Sequence, residues 1–139
     1  MLIDPDKENA GRVNARLHDD LVAWLVTVAP DGTPMPTPVW FWWDGVTMLV
    51  YSQPGKPKLR NIQMNPHVAV ALRTDPIGSE LAVITGDAVV DGSAPKADDH
   101  EDYISKYRSE IARLGSDPAT FAASFAVPIR ITPTRLRAE

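Results

Sequence analysis

Apolar residues fall in short runs separated by proline, glycine and polar punctuation, a pattern of strands rather than long helices. "LVAWLVTVA" (residues 21–29) is continuously apolar and β-branched, which predicts a buried strand. Asp31-Gly32 then turns the chain, and "TPVWFWW" (37–43) reads as a second strand. Asp44-Gly45 is a hairpin signal leading into a third strand, "VTMLVYS" (46–52). "HVAVALR" (67–73), "ELAVITGDAVV" (80–90) and "VPIRITPTRLR" (127–137) bring the set to six, the last bent or bulged at Pro133.

Helical spacing appears at four places. Asp4-Pro5 has the form of a cap followed by proline at the first helical position, predicting a helix over 5–18 with Val13 and Leu17 on one face. Pro57 opens a short helix that ends before Pro66. Residues 98–114 are amphipathic, with Tyr103, Ile104, Tyr107, Ile111 and Leu114 on the apolar side, and Asp117-Pro118 starts a further turn. Closely spaced strands pair antiparallel, because parallel pairs need crossovers of about a dozen residues or more. The predicted fold is mainly β with helices, an antiparallel sheet closing into a small barrel, as one domain over residues 1–139.

Composition narrows the picture. Hydrophobic residues make up 44% of the chain, enough for an ordinary core and too many for a disordered chain. There is no cysteine, so disulfides, thiolate nucleophiles and thiolate-ligated metals are excluded. The N-terminus lacks an apolar signal core and no apolar run approaches membrane-spanning length, so a cytoplasmic, non-membrane protein is expected. A net charge of −4 argues against general nucleic-acid binding.

Charge is unevenly spread. Between Asp44 and Asp75 the chain has no acidic residue but holds Lys56, Lys58, Arg60 and Arg73, a local +4 that leaves −8 for the remainder. Three of these cations sit in "SQPGKPKLRNI" (52–62), directly after an apolar strand. Gly55 permits close backbone approach, and Pro57 starts a helix whose free N–H groups face the loop. Cations at a helix N-terminus oppose the dipole unless an anion is bound there. The turn is either an anion cradle or a solvated basic turn.

The second strand raises a related question. Alternation puts Val39, Phe41 and Trp43 on one sheet face and Trp40 and Trp42 on the other, so both faces are aromatic. One face fills the barrel, and the other needs a cover: a dimer partner, a helix or a flat ligand. Side-chain catalytic machinery is sparse. His18, His67 and His100 lack metal-like spacing, and no serine sits in a nucleophile elbow. The run "DDHED" (98–102) fits a helix start, where acids complement the dipole, better than a metal cluster. An enzyme built on this chain needs a bound cofactor to carry its chemistry.

These residues resemble a known family. "DGTPMPTPVWFWWDGVTMLVYSQPGKPKLRNIQMNPHVAVAL" is similar to the pyridoxamine 5'-phosphate oxidase-like split β-barrel proteins, in particular the short actinobacterial-type oxidoreductases that depend on the deazaflavin coenzyme F-420. The Asp-Gly-x-Pro lead, the "PVWFWWDG" hairpin, the Lys-x-Arg-Asn-Ile turn, "NPHVAV", "TGDA" and the closing "PIRITPTRLR" carry the likeness, over residues 12–137. The resemblance implies a six-stranded split barrel that forms a homodimer, with cofactor sites at the subunit interface. By motif, Lys56 and Lys58 would contact the cofactor phosphate, with Ser52 and Arg60 assisting. Thr37, Pro38, Val39 and Trp40 would lie along the ring, and Thr85 and Gly86 would approach from a neighbouring strand. Tyr51 is counted with these cofactor-binding residues, and Tyr51 and Ser52 stand by position as candidate proton donors. The implied reaction is hydride transfer between reduced F-420 and a small conjugated acceptor. The alternatives are an FMN-dependent oxidoreductase of the same fold and a binding module without turnover. Pyridoxamine phosphate oxidases themselves carry C-terminal Trp and Arg motifs, and this chain has no tryptophan after Trp43.

Overall fold

A computed structural model of the protein describes residues 2–139. The strands are β1 (Ala23–Val28), β2 (Pro34–Val39), β3 (Trp42–Trp43), β4 (Met48–Ser52), β5 (His67–Ala71), β6 (Ala82–Val90) and β7 (Val127–Ala138). They make one antiparallel sheet in the order β2-β1-β5-β6-β7-β4-β3. The helices are α1 (Ala10–Asp19), α2 (Pro57–Met64), α3 (Glu101–Arg113) and α4 (Pro118–Ser124). None of the described helices is long and apolar enough to cross a membrane.

Seven strands form where six were predicted. The difference lies in residues 37–43, which do not stay in one ladder. β2 starts earlier, at Pro34, and ends at Val39; Trp40 and Phe41 fall between ladders; β3 is the short remainder. β2 and β3 are the two edges of the sheet. Three peptide steps separate Val39 from Trp42, so the edges come within about 11 Å of each other. The sheet therefore curls nearly closed and stops at a seam, the geometry of a split barrel. Proline explains the seam. Pro34, Pro36 and Pro38 alternate along β2, so the ladder to β1 uses the intervening residues and the outward side lacks N–H donors.

Other expectations are corrected locally. The first helix begins at Ala10 rather than Pro5; Asp4 instead caps a turn, its carboxylate accepting from the Asp6 N–H at 3.0 Å. The run 21–29 is buried on one face only, with Leu21, Val22 and Trp24 exposed. Leu114 ends α3 and is exposed instead of joining its apolar side. The second and fourth helices form as the caps predict: Pro57 and Pro118 open them, and Asp117 accepts from the Thr120 N–H at 2.9 Å. The acidic run opens α3, where the His100 ring accepts from the Tyr103 N–H.

The bend at Pro133 is a β-bulge. Thr85 faces Arg135 while Gly86 faces Pro133, leaving Thr134 extra. Gly86 is required there, because a Cβ would sit 2.4 Å from the Thr132 carbonyl oxygen.

Two apolar clusters result. The barrel interior packs Leu25, Val39, Phe41, Trp43, Val70, Ile84, Ile129 and Ile131 against Val13 and Leu17 of α1. The other cluster lies outside the barrel, where Leu49 and Tyr51 meet Tyr103, Tyr107 and Ile111 of α3 and Phe121 of α4. Trp40 and Trp42 pack against this second cluster. The alternation read from the sequence thus survives the break in the strand, and helices from the segment between β6 and β7 provide the cover.

Candidate functional site

The basic turn is built as its residues dictate. Gly55 adopts φ +75°, a conformation that side-chain-bearing residues rarely take. Lys56 is the N-cap of α2, makes no side-chain cap, and the first helical turn holds no acid. None of Lys56, Lys58 and Arg60 forms an ion pair among the described residues. The start of α2 is thus positive in both dipole and side chains, with no acid among the described residues paired to it.

Helical geometry then separates these cations. Lys56 and Arg60 are four residues apart and share a face, whereas Lys58 points elsewhere. Lys56 and Arg60 line an open groove of about 1090 Å³, together with Met35, Asn61, Val89 and Thr132. Lys58 lines a smaller cavity of about 230 Å³ formed with Pro38, Val39, Trp40, Tyr51, Tyr103, Leu114, Phe121 and Phe125. The first turn of α2 stands between the two. Burial in the aromatic cavity lowers the Lys58 amine from its ordinary value, and Lys56 nearby adds to the shift. Asn61 fastens this turn to the barrel: it is buried, and its amide donates to Thr27 Oγ1 at 3.0 Å.

Five of the candidate site residues read from the sequence therefore meet in the aromatic cavity: Pro38, Val39, Trp40, Tyr51 and Lys58. Lys56 and Arg60 stand on the groove side. Thr37 pairs with Leu25 one turn of the pleat from Val39. Thr85 and Gly86 are on β6, three strands from β2 or about 14 Å across the sheet. Their neighbours Asp87 and Thr132 line the groove, but neither residue reaches the cavity.

The two candidate proton donors are already engaged. Tyr51 donates its hydroxyl hydrogen to the Pro95 carbonyl at 2.7 Å, and burial pushes its phenol up to about 12. Ser52 is buried and donates to the Gln53 carbonyl at 2.8 Å. Trp40 is stacked within the chain: Tyr107 lies on it at 4.6 Å and 6°, and Phe121 at 5.5 Å and 20°. Trp42 lies edge-on to both His18 and His100, yet no group of three described His, Cys, Asp or Glu side chains is placed to hold a metal ion.

Sequence reasoning passed over three residues here. Tyr103 is buried in the cavity wall and its hydroxyl has no hydrogen-bond partner among the described residues. Lys106 and Tyr107 bond to the backbone of Phe41, 65 and 66 residues earlier in the chain. Helical periodicity marks Tyr103 and Tyr107 as buried but carries no sign of these contacts.

The donor set suits a planar group that bears phosphate: unpaired cations and an uncapped helix start beside an aromatic cavity. Comparison with known proteins agrees in kind. A 28% identical solved structure, an F420 reductase, superposes with a TM-score of 0.65, covering 89% of this chain and 94% of its own. A Listeria innocua protein provisionally named pyridoxamine 5'-phosphate oxidase is 27% identical, with a TM-score of 0.65 and coverage of 92% and 95%. A FAD-binding protein of Mesorhizobium loti, 20% identical with a TM-score of 0.66 and coverage of 91% and 89%, shares the fold. No curated protein matches the chain significantly. The family model described as pyridoxamine 5'-phosphate oxidase matches residues 10–137, from α1 to nearly the end of β7, and so takes in the whole sheet, the basic turn and the aromatic cavity: the chain belongs to that family.

Proposed function

We propose that the protein is an oxidoreductase that uses coenzyme F-420 to reduce a small conjugated acceptor, with the cofactor held between two copies of the chain. The observation that carries this reading is the pairing of an acid-free cationic helix start with the aromatic cavity beside it. The likeness to an F420 reductase supports the choice of deazaflavin over flavin. When bound and reduced, the deazaflavin supplies the hydride.

The chain's own contribution is binding, orientation and exclusion of water. Lys56 and Arg60 would offset phosphate charge on the groove side, and Lys58 would do so from the cavity. Trp40, Phe121 and Phe125 give the cavity apolar walls, which strengthen electrostatic contacts inside it. Tyr51 and Ser52, engaged with carbonyls, leave the proton to come from solvent.

A homodimer fits the remaining surface. The outer sheet face carries Trp24, Val26, Ala69, Ala71 and Val83 in register, with Trp24 49% exposed. A cavity of about 230 Å³ is also smaller than the roughly 300–1,000 Å³ usual for ligand sites, as one half of a shared site would be. Separate titrations of the purified protein with F-420 and FMN test the cofactor. Tighter binding of F-420 is expected, and tighter binding of FMN would overturn the assignment. Sedimentation analysis tests the dimer, which a monomer at all concentrations would exclude.

A further inference from the structure

Where the sheet is split, Phe41 has no ladder partner, so its backbone needs other partners. α3 supplies them. The Phe41 N–H donates to the Tyr107 hydroxyl oxygen at 2.8 Å. That hydroxyl has one hydrogen and two carbonyls in reach: Leu21 at 2.6 Å and Phe41 at 3.1 Å. The shorter bond goes to Leu21. The Phe41 carbonyl is then left to the Lys106 amine, which lies 3.0 Å away. The same amine sits 3.9 Å from the centre of the Phe41 ring, a cation–π contact.

The neighbouring ring is held by the same helix. Tyr107 stacks on Trp40, so its hydroxyl fixes the peptide of one residue while its ring fixes the side chain of the residue before. Trp40 is a wall of the aromatic cavity. We infer that Lys106 and Tyr107 are positioning residues of the cofactor site, which pin the seam at Phe41 and thereby set the ring of Trp40. This rests on the reading of that cavity as part of a cofactor site. The two residues touch the cavity only through others: neither lines it.

The test uses the full chain with Lys106→Met, Tyr107→Phe and the conservative Lys106→Arg, whose guanidinium can also donate and stack. Two readouts are taken below the melting temperature of every variant. One is the near-ultraviolet dichroism of Trp40, isolated by difference against Trp40→Phe. The other is affinity for F-420 and for FMN. Lys106→Met and Tyr107→Phe are expected to lose the Trp40 signal and to weaken the tighter cofactor about tenfold through lost preorganisation. Lys106→Arg is expected to restore both. If the parent binds a cofactor and Lys106→Met stays within about twofold of it, the inference is overturned whatever the dichroism does. If the parent binds neither cofactor, the proposed function fails separately. The Trp40 signal then decides positioning: its loss in Lys106→Met upholds it, and its retention overturns it. Should Tyr107→Phe fail to fold, Lys106→Met decides alone.

Discussion

The two apolar clusters of this protein are built to different rules. The barrel interior is mainly aliphatic: Leu25, Val50, Val70, Ile129 and Ile131 are fully buried, and the buried polar pair beside them, Asn61 and Thr27, is joined by a hydrogen bond of 3.0 Å. The layer under α3 and α4 is aromatic and contains hydroxyls: Tyr51, Tyr103 and Tyr107 pack with Phe121, and a cavity remains among them. One cluster rests mainly on shape and hydrophobicity. The other places polar atoms in a dry setting, where each must find a partner or carry a cost. Tyr107 and Tyr51 have partners; Tyr103 does not. The barrel accounts for the fold, and the aromatic layer is where the chain carries the features of a site.

That contrast can be broken most forcefully from the barrel side. Leu25→Ala should destabilise the protein by about 2–5 kcal/mol, since it opens a cavity in a fully buried position. Chemical denaturation measures this, and cofactor affinity of the remaining folded protein should be unchanged. Gly86→Ala should cost about 1–3 kcal/mol by forcing its Cβ against the Thr132 carbonyl at the bulge. A variant as stable as the parent would show that the bulge is not a close backbone contact. In the aromatic layer, Tyr107→Phe keeps an aromatic ring at that position but releases the Phe41 peptide and leaves its N–H buried and unpaired, at about 1–3 kcal/mol.

A reverse pattern is expected at the basic turn. Lys56→Ala combined with Lys58→Ala should weaken cofactor binding while changing stability by no more than about 0.5 kcal/mol per site, because neither lysine has an ion-pair partner to lose among the described residues. Unchanged affinity in a titration would remove the phosphate assignment. The smallest effect concerns acid. Asp91 accepts hydrogen bonds from Ser93 at 2.6 Å and from Arg130 at 2.7 Å, and these hold its carboxyl down to about 2. A depressed carboxyl contributes stability above its ordinary value and loses it as pH falls through the shifted one. Melting temperature should therefore decline between about pH 4 and 2 more steeply in the parent than in Asp91→Asn. Parallel profiles would show that the Asp91–Arg130 pair does not couple to folding.

Much of this organisation is legible in the chain alone. Proline and capping residues mark where α2 and α4 begin, because their effect is local to one turn. Alternation assigns Phe41 and Trp43 to one side and Trp40 and Trp42 to the other, since the pleat has a period of two. The acid-free stretch isolates the basic turn. Local signals misled where a cap resembles a turn, as at Asp4-Pro5, and where a continuous apolar run hides a half-exposed strand, as at residues 21–29.

The tertiary structure decided the rest. The seam between Val39 and Trp42 depends on how far the sheet curls and on which edge β2 occupies, and both are set by all seven strands together. The division of Lys56 and Arg60 from Lys58 depends on what lies on either side of α2. The bonds from Lys106 and Tyr107 to Phe41 join positions about 65 residues apart, with no periodicity linking them. Sequence determined elements, faces and the placement of charge, because these follow from neighbours along the chain. Folding alone decided which polar groups came to share a dry space, because that depends on neighbours across it.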